Sequence, residues 1–190
     1  MSYYYLFKDK LPVFEVARRI AKGEHHMPPV VVTIPEGFDA SQIAEAFEPK
    51  LQSFNKDQFL TKAKELEGYL FPDTYFFLTG ANEEDVLQSM NYNFKKKIAP
   101  LLSEFIAFGK TEKDIITMAS IIEREAKGEA DREVISGILW KRISIGIPLQ
   151  VDAAPETYKT RGLPKNPIGN PGLLAIQATI HPQSSPYLYY

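Results

Sequence analysis

The sequence lacks cysteine altogether, and this absence excludes a disulfide framework and catalysis by a thiol. It also has little net charge, because 22 lysines and arginines face 24 aspartates and glutamates among 190 residues. The lysines are scattered rather than arranged in a stripe, so no nucleic-acid partner is expected. Histidine is scarce as well: His25 and His26 stand in a turn without a third ligand, so we expect neither a metal site nor a cofactor.

Long hydrophobic runs are missing too. No window of about 18 uninterrupted apolar residues occurs, so no segment of this chain is expected to span a membrane. The start, MSYYYLFKDK, lacks the basic beginning and long apolar stretch of a signal peptide. The 44% of hydrophobic residues is nevertheless enough for one medium domain or two small domains with buried cores.

Local patterns predict an α+β chain. A strand at 3–9 and a helix at 11–24 are followed by a β-branched strand at 30–34, the turn Pro-Glu-Gly and a second helix. Asp39 and Gln42 have the spacing of a capping box for that helix. We therefore expect a small α/β region at the beginning of the chain.

The pattern changes near residue 109, where the chain becomes mostly helical. A proline- and glycine-rich loop follows, and Asn170 and Pro171 are expected to start a last helix as its cap and first residue. We predict two units with this boundary, residues 1–108 and residues 109–190.

The stretch ITMASIIEREAKGEADRE carries two glutamates on a helix that we expect Thr111 to cap. At about 100° per residue, Glu123 and Glu125 fall about 160° apart, on opposite flanks of an apolar stripe. Thr117 and Ser120 fall on the side away from that stripe. The two carboxylates therefore cannot form a pair across one substrate bond.

Glu123 is predicted to point along the apolar flank, next to the small residue Ala119. Apolar surroundings disfavour a charged carboxylate and raise its pKa, which suits a general acid that protonates a leaving oxygen. Spacing alone leaves open that Glu123 and Glu125 are rim residues or pair with Arg124, Arg132 or Arg142. No second carboxylate is obvious beside Glu123, and Asp152 and Glu156 are the only acidic candidates nearby in the sequence.

Several longer segments carry a resemblance to a known family. MASIIEREA, VISGILWKRISIGIPLQVDA and GLPKNPIGNPGLLAIQATIHPQSSPYLYY resemble the catalytic region of the YceG-like endolytic murein transglycosylases. Upstream, VVVTIPEGFDASQIAEAF and LEGYLFPDTYFF resemble the preceding region of that family, which contains a LysM-like subdomain. The resemblance implies a LysM-like α/β unit at 1–108 and a mostly helical, lysozyme-like catalytic domain at 109–190.

The resemblance also implies a reaction. Family members are bacterial lyases that cut peptidoglycan strands internally, between N-acetylmuramic acid and N-acetylglucosamine. The muramic 6-hydroxyl attacks in place of water and leaves a 1,6-anhydro end. The family's catalytic glutamate matches Glu123, which would act as both acid and base, and no separate base for water would then be needed.

Weaker roles follow for other residues of the matched motifs. Gln150 and Asp152 match a Leu-Gln-x-Asp motif beside the cleft, although they could equally fix the loop through hydrogen bonds. Tyr158 could stack on a sugar or pack in the loop, and Asn170 could bind substrate or cap a helix. Glu125 is expected to support the site through an ion pair rather than act on substrate.

The family's biology implies a place and partners. Members are anchored in the cytoplasmic membrane, face outward, and act on glycan strands alongside the cell-wall synthesis machinery. Relative to the family pattern, we expect that the membrane helix and a segment after PYLYY are missing from this chain. The segment after Asp152 is short, either naturally or because residues are missing. Two alternatives stay open: a hydrolytic muramidase, and a peptidoglycan-binding module without activity.

Overall fold

The computed structural model describes residues 10–23, 29–126, 128 and 131–190. Within these ranges the chain forms eight α-helices and one two-stranded sheet, which confirms the α+β prediction. The helices are α1 Val13–Lys22, α2 Ala40–Phe47, α3 Lys56–Ala63, α4 Glu83–Ile98, α5 Leu102–Phe108, α6 Glu112–Glu125, α7 Asp131–Ser144 and α8 Leu173–Ile180. The strands are β1 Val30–Thr33 and β2 Thr74–Phe77, and short 3₁₀ helices span Ala99–Leu101 and Pro155–Tyr158. The predicted strand at 3–9 and both His25 and His26 lie outside the described residues.

The first core forms where the sheet packs on helices α2, α3 and α4. β1 and β2 run antiparallel, with Val30 opposite Phe77. Their side chains alternate, so Val32 and Tyr75 are buried while Phe76 is exposed. The helices fill the buried side of the sheet with large apolar groups, including Ile43, Phe47, Phe59, Val86 and Met90.

Local capping signals place two helices as predicted. Asp39 accepts a hydrogen bond from Gln42 N, the Gln42 side chain accepts one from Asp39 N, and both distances are 3.0 Å. This confirms the capping box of α2. Thr111 caps α6 in the same way, because its hydroxyl accepts from Asp114 N at 3.1 Å.

The predicted start of the last helix is wrong. Helix α8 begins at Leu173, and Gly172 rather than Asn170 occupies the capping position. The physical reason is that the Asn170 side chain is used elsewhere: it binds the backbone of two distant segments, as described below.

Helix α6 lies at the centre of the second core. Every residue from Ile115 to Ile122 is buried, so the helix has no exposed side over this length. The prediction that Thr117 and Ser120 face away from the core is wrong, because each is only 1% exposed. The loop after residue 162 covers them, and Ser120 Oγ accepts a hydrogen bond from Ile168 N at 3.0 Å.

The second core also takes side chains from before residue 109, namely Phe71, Phe94, Ile98, Leu101 and Phe105. The two-unit division at residue 109 stays a prediction. At the other end of the chain, helix α1 buries none of its side chains among the described residues, and Val13 is 85% exposed. Among the described residues, no helix combines the length and apolar character needed to cross a lipid bilayer.

Candidate active site

Glu123 lies in the last turn of the buried helix α6, and its side chain is only 5% exposed. Both carboxylate oxygens are held. Oε1 accepts a hydrogen bond from Arg132 Nη2 at 3.0 Å, and Oε2 accepts one from Gly172 N at 2.9 Å. The carboxylate is therefore fixed between the first turn of α7 and the beginning of α8.

These contacts change the expected environment of Glu123. The sequence predicted an apolar flank, whereas the structure places a guanidinium and a backbone amide against the carboxylate. Of the three arginines considered, Arg132 is the partner of Glu123. Arg124 instead donates to Gly37 O at 3.2 Å, and Arg142 donates to the carbonyl oxygens of Pro148 and Leu188.

The Pro35–Gly37 turn, which joins β1 to α2, lies directly against Glu123. Gly37 adopts a left-handed conformation with φ of +80°, and a β-carbon built on it would lie 3.5 Å from Glu123 Cγ. Its carbonyl is held by Arg124 and its N–H donates to Asn170 O at 2.8 Å. Glycine is favoured at this position because other residues adopt a left-handed backbone only with strain.

Asn170 joins three segments and is fully buried. Its side-chain oxygen accepts from Gly68 N and Leu70 N, both at 2.9 Å. Its side-chain nitrogen donates to Phe38 O at 3.0 Å and to Glu67 Oε1 at 2.7 Å. The side chain thus fixes Phe38, directly after the Pro35–Gly37 turn, and the loop before β2 against the loop that leads into α8. It exposes no surface.

Glu67 is the charged member of this buried junction. Its other oxygen, Oε2, accepts from Ala40 N at 3.0 Å. Burial raises the pKa of Glu67 above its ordinary value, and the nearby Asp39 carboxylate acts in the same direction. The hydrogen bonds from Ala40 and Asn170 oppose this rise without cancelling it.

Glu125 faces a different part of the molecule, as its angle on the helix predicted. Its Oε1 accepts from Ala153 N and its Oε2 accepts from the hydroxyl of Tyr190, both at 3.0 Å. Burial and the neighbouring carboxylate together raise the pKa of Tyr190. The expected ion pair is absent among the described residues, and Glu125 instead ties α6 to the loop after α7 and to Tyr190 through hydrogen bonds.

The three loop residues predicted beside the cleft lie on this Glu125 side. Tyr158 donates its hydroxyl to Asp152 Oδ1 at 2.6 Å, and this bond raises the pKa of Tyr158. Gln150 has a φ of +53° and accepts a hydrogen bond from the buried Arg142. All three are exposed, whereas Asn170 lies on the Glu123 side and is buried.

The sequence did not single out Gly37, Gly172 or Tyr190, although all three lie at these contacts. The Pro-Glu-Gly triplet predicts a turn and no more. Its proline and glycine, which favour tight turns, were the available signal for the approach of Gly37 to Glu123. Among the described residues, no group of three or more histidine, aspartate or glutamate side chains is placed to hold a metal ion.

Comparisons with known proteins agree with one another. The model of the YceG-like family matches residues 2–156 and 155–190. A protein named endolytic murein transglycosylase from Streptococcus pneumoniae is 25% identical over 98% of this chain and 45% of its own length. A protein of the same name from Bacillus subtilis is 27% identical over 84% of this chain and 58% of its own length. The chain thus spans about half the length of the curated relatives it matches.

A solved structure supports the same relationship at the level of the fold. The crystal structure of a YceG-like protein from Listeria monocytogenes matches with a TM-score of 0.73 and 27% sequence identity. The match covers 93% of this chain and 73% of that protein.

Proposed function

Since the chain belongs to the YceG-like family, we propose that it is the extracytoplasmic part of an endolytic murein transglycosylase, with Glu123 as its catalytic acid and base. The observation that carries the proposal is the position of Glu123: a carboxylate 5% exposed, at the end of a fully buried helix, with both oxygens fixed. A side chain held this firmly suits proton transfer to a bound substrate, because general acid catalysis depends on geometry first.

The proposed reaction needs one carboxyl group. Glu123 protonates the glycosidic oxygen between muramic acid and glucosamine, and the bond from that oxygen to the anomeric carbon breaks. The muramic 6-hydroxyl then attacks the anomeric carbon, and the Glu123 carboxylate takes the hydroxyl proton. The product is a 1,6-anhydro end, the glutamate regains its proton, and water is not consumed.

Arg132 and Gly172 have a positioning role in this scheme. Each donates one hydrogen bond to one Glu123 oxygen, so the carboxyl group cannot rotate freely. The guanidinium also stabilises the negative charge that remains on Glu123 once the leaving oxygen has been protonated.

Substrate contacts are proposed for Gln150, Asp152 and Tyr158. All three are exposed, and Tyr158, which is 48% exposed, offers an aromatic ring on which a sugar can stack. For Asn170 we propose a supporting role instead, because its side chain is buried and its four hydrogen bonds join the segments around Glu123. Glu125 supports the loop that carries Asp152 by binding Ala153 N.

The wider setting follows from the family. We propose that peptidoglycan strands are the substrate, that the cell-wall synthesis machinery is a partner, and that a membrane anchor holds the whole protein at the outer face of the cytoplasmic membrane. The region before residue 109 would then be the LysM-like unit and the region after it the lysozyme-like catalytic unit.

Mass spectrometry of digested glycan strands tests the proposal. Strands incubated with the chain should acquire 1,6-anhydro ends, whereas reducing ends would identify a muramidase. Binding without any cleavage would identify a peptidoglycan-binding module. Glu123→Gln, assayed where it is shown to be folded, should lower the rate by about 10²–10⁴-fold, the usual contribution of general acid catalysis.

A further inference from the structure

The turn at Pro35–Gly37 places a second carboxylate against Gly172, the residue whose N–H also binds Glu123. A β-carbon built on Gly172 would lie 1.8 Å from Glu36 Oε1, so the Glu36 carboxylate lies directly against this glycine. The N–H of the same glycine donates to Glu123 Oε2 at 2.9 Å. Two carboxylates from distant parts of the chain therefore contact one residue, and a side chain at Gly172 would displace Glu36.

The backbone around Glu36 is held firmly. Gly37 donates its N–H to Asn170 O at 2.8 Å, and its carbonyl accepts from Arg124 Nη2 at 3.2 Å. Phe38 O accepts from both Asn170 N and the Asn170 side chain. Glu36 is an exposed residue, so a fixed turn presents it at the edge of the candidate site.

We propose that Glu36 is a second catalytic residue, which contacts the muramic acid ring and stabilises the positive charge that develops there as the glycosidic bond breaks. This inference rests on the proposed function. Glycosidic bond cleavage passes through an oxocarbenium-like state, and a fixed negative charge near that ring lowers its free energy. Glu36 forms no bond and transfers no proton in this role, so the proton balance of the reaction stays with Glu123.

The hydrogen bonds of Glu123 set its role apart from that of Glu36. Both Glu123 oxygens are held, by Arg132 Nη2 at 3.0 Å and by Gly172 N at 2.9 Å, as suits a group that transfers a proton. Arg124 fixes the backbone of the turn that carries Glu36, because it donates to Gly37 O at 3.2 Å. Glu36 belongs to the first unit in sequence, so the region before residue 109 would supply part of the active site rather than only bind glycan.

The test compares Glu36→Gln with the matched control Glu45→Gln in the full chain. Both changes remove one negative charge, and Glu45 is an exposed residue of α2, with a side chain 63% exposed. For Glu36→Gln we expect kcat on soluble glycan strands to fall about ten-fold to 100-fold, with KM changed less than about three-fold. The control should keep the kcat of the unchanged chain.

Thermal unfolding of both variants completes the experiment. An unchanged kcat in Glu36→Gln would overturn the inference, and so would a loss of kcat that only follows a loss of folded protein. If the unchanged chain cleaved no glycan, the proposed function would fail and this inference with it. If the unchanged chain cleaved and Glu36→Gln cleaved equally well, only the role of Glu36 would be refuted.

Discussion

Removing Glu123 should weaken the fold as well as the chemistry. Its partner Arg132 is 14% exposed, and the Nη2–Oε1 distance is 3.0 Å. Taking one partner from a buried ion pair costs about 3–5 kcal/mol, because the other charge is left buried without compensation. Arg132 Nε is already buried without a hydrogen-bond partner among the described residues, so Glu123→Gln would leave the guanidinium poorly satisfied.

We therefore expect Glu123→Gln to lower the free energy of unfolding by about 3 kcal/mol, the lower end of that range, because the glutamine still accepts one hydrogen bond. For a chain of this size, 1 kcal/mol corresponds to about 2–4 °C, so Tm should fall by about 6–12 °C. The double variant Glu123→Gln, Arg132→Met should recover part of this loss, since it buries no unpaired charge.

Differential scanning calorimetry of the single variants, the double variant and the unchanged chain measures the coupling between the two side chains. A matched control is Glu84→Gln, which breaks the exposed pair of Glu84 with Lys62 at 2.9 Å. The control should shift Tm far less, because exposed ion pairs contribute little. Losses in the single variants that simply add in the double variant would refute the reasoning.

Three further predictions concern the junctions around α6. Asn170→Ala should lower the free energy of unfolding by about 3–4 kcal/mol, about 1 kcal/mol for each of its four hydrogen bonds, and urea denaturation measures this loss. Burial raises the pKa of Glu67 in the folded protein above its ordinary value of 4.5, so the protonated side chain favours the folded state. Its contribution to the free energy of unfolding is full below pH 4.5 and is lost as the pH rises through the folded pKa. Glu67→Gln should flatten that part of a curve of Tm against pH, and an unchanged slope would contradict the assignment. Glu125→Gln should lower Tm and activity only modestly, because glutamine can still accept a hydrogen bond from Ala153 N or from the Tyr190 hydroxyl. Complete loss of turnover at unchanged Tm would reverse the roles proposed for Glu123 and Glu125.

Sequence patterns located the features that depend on near neighbours. The caps at Asp39 and Thr111 were predictable because each cap bonds to a residue three positions away. The separation of Glu123 from Glu125 was predictable because helix geometry fixes the angle between them. These contacts would form in almost any tertiary setting, so no knowledge of the remaining chain was needed.

The partners of Glu123 were not predictable in the same way. Arg132 was one of three candidates, and nothing in the spacing distinguished it from Arg124. The contact with Gly172 spans 49 residues and depends on the path of an irregular loop. The same loop buries Thr117 and Ser120, which a helix angle alone assigns to the surface. Asn170 looked like a helix cap because the local pattern does not reveal that Gly68 and Leu70 compete for its side chain.

The long separation between these segments has a consequence for the order of synthesis. Ribosomes deliver a chain from its N-terminal end, so Glu123 emerges 49 residues before Gly172, the donor to its second oxygen. The Pro35–Gly37 turn appears earlier still, but its anchor at Asn170 comes late. An unfinished chain therefore contains the acidic groups without the arrangement that positions them. If the chain cuts glycan as proposed, a nascent fragment that stops before residue 170 is inert, and the capacity to damage a cell wall arises only once the segment with Asn170 and Gly172 has been made.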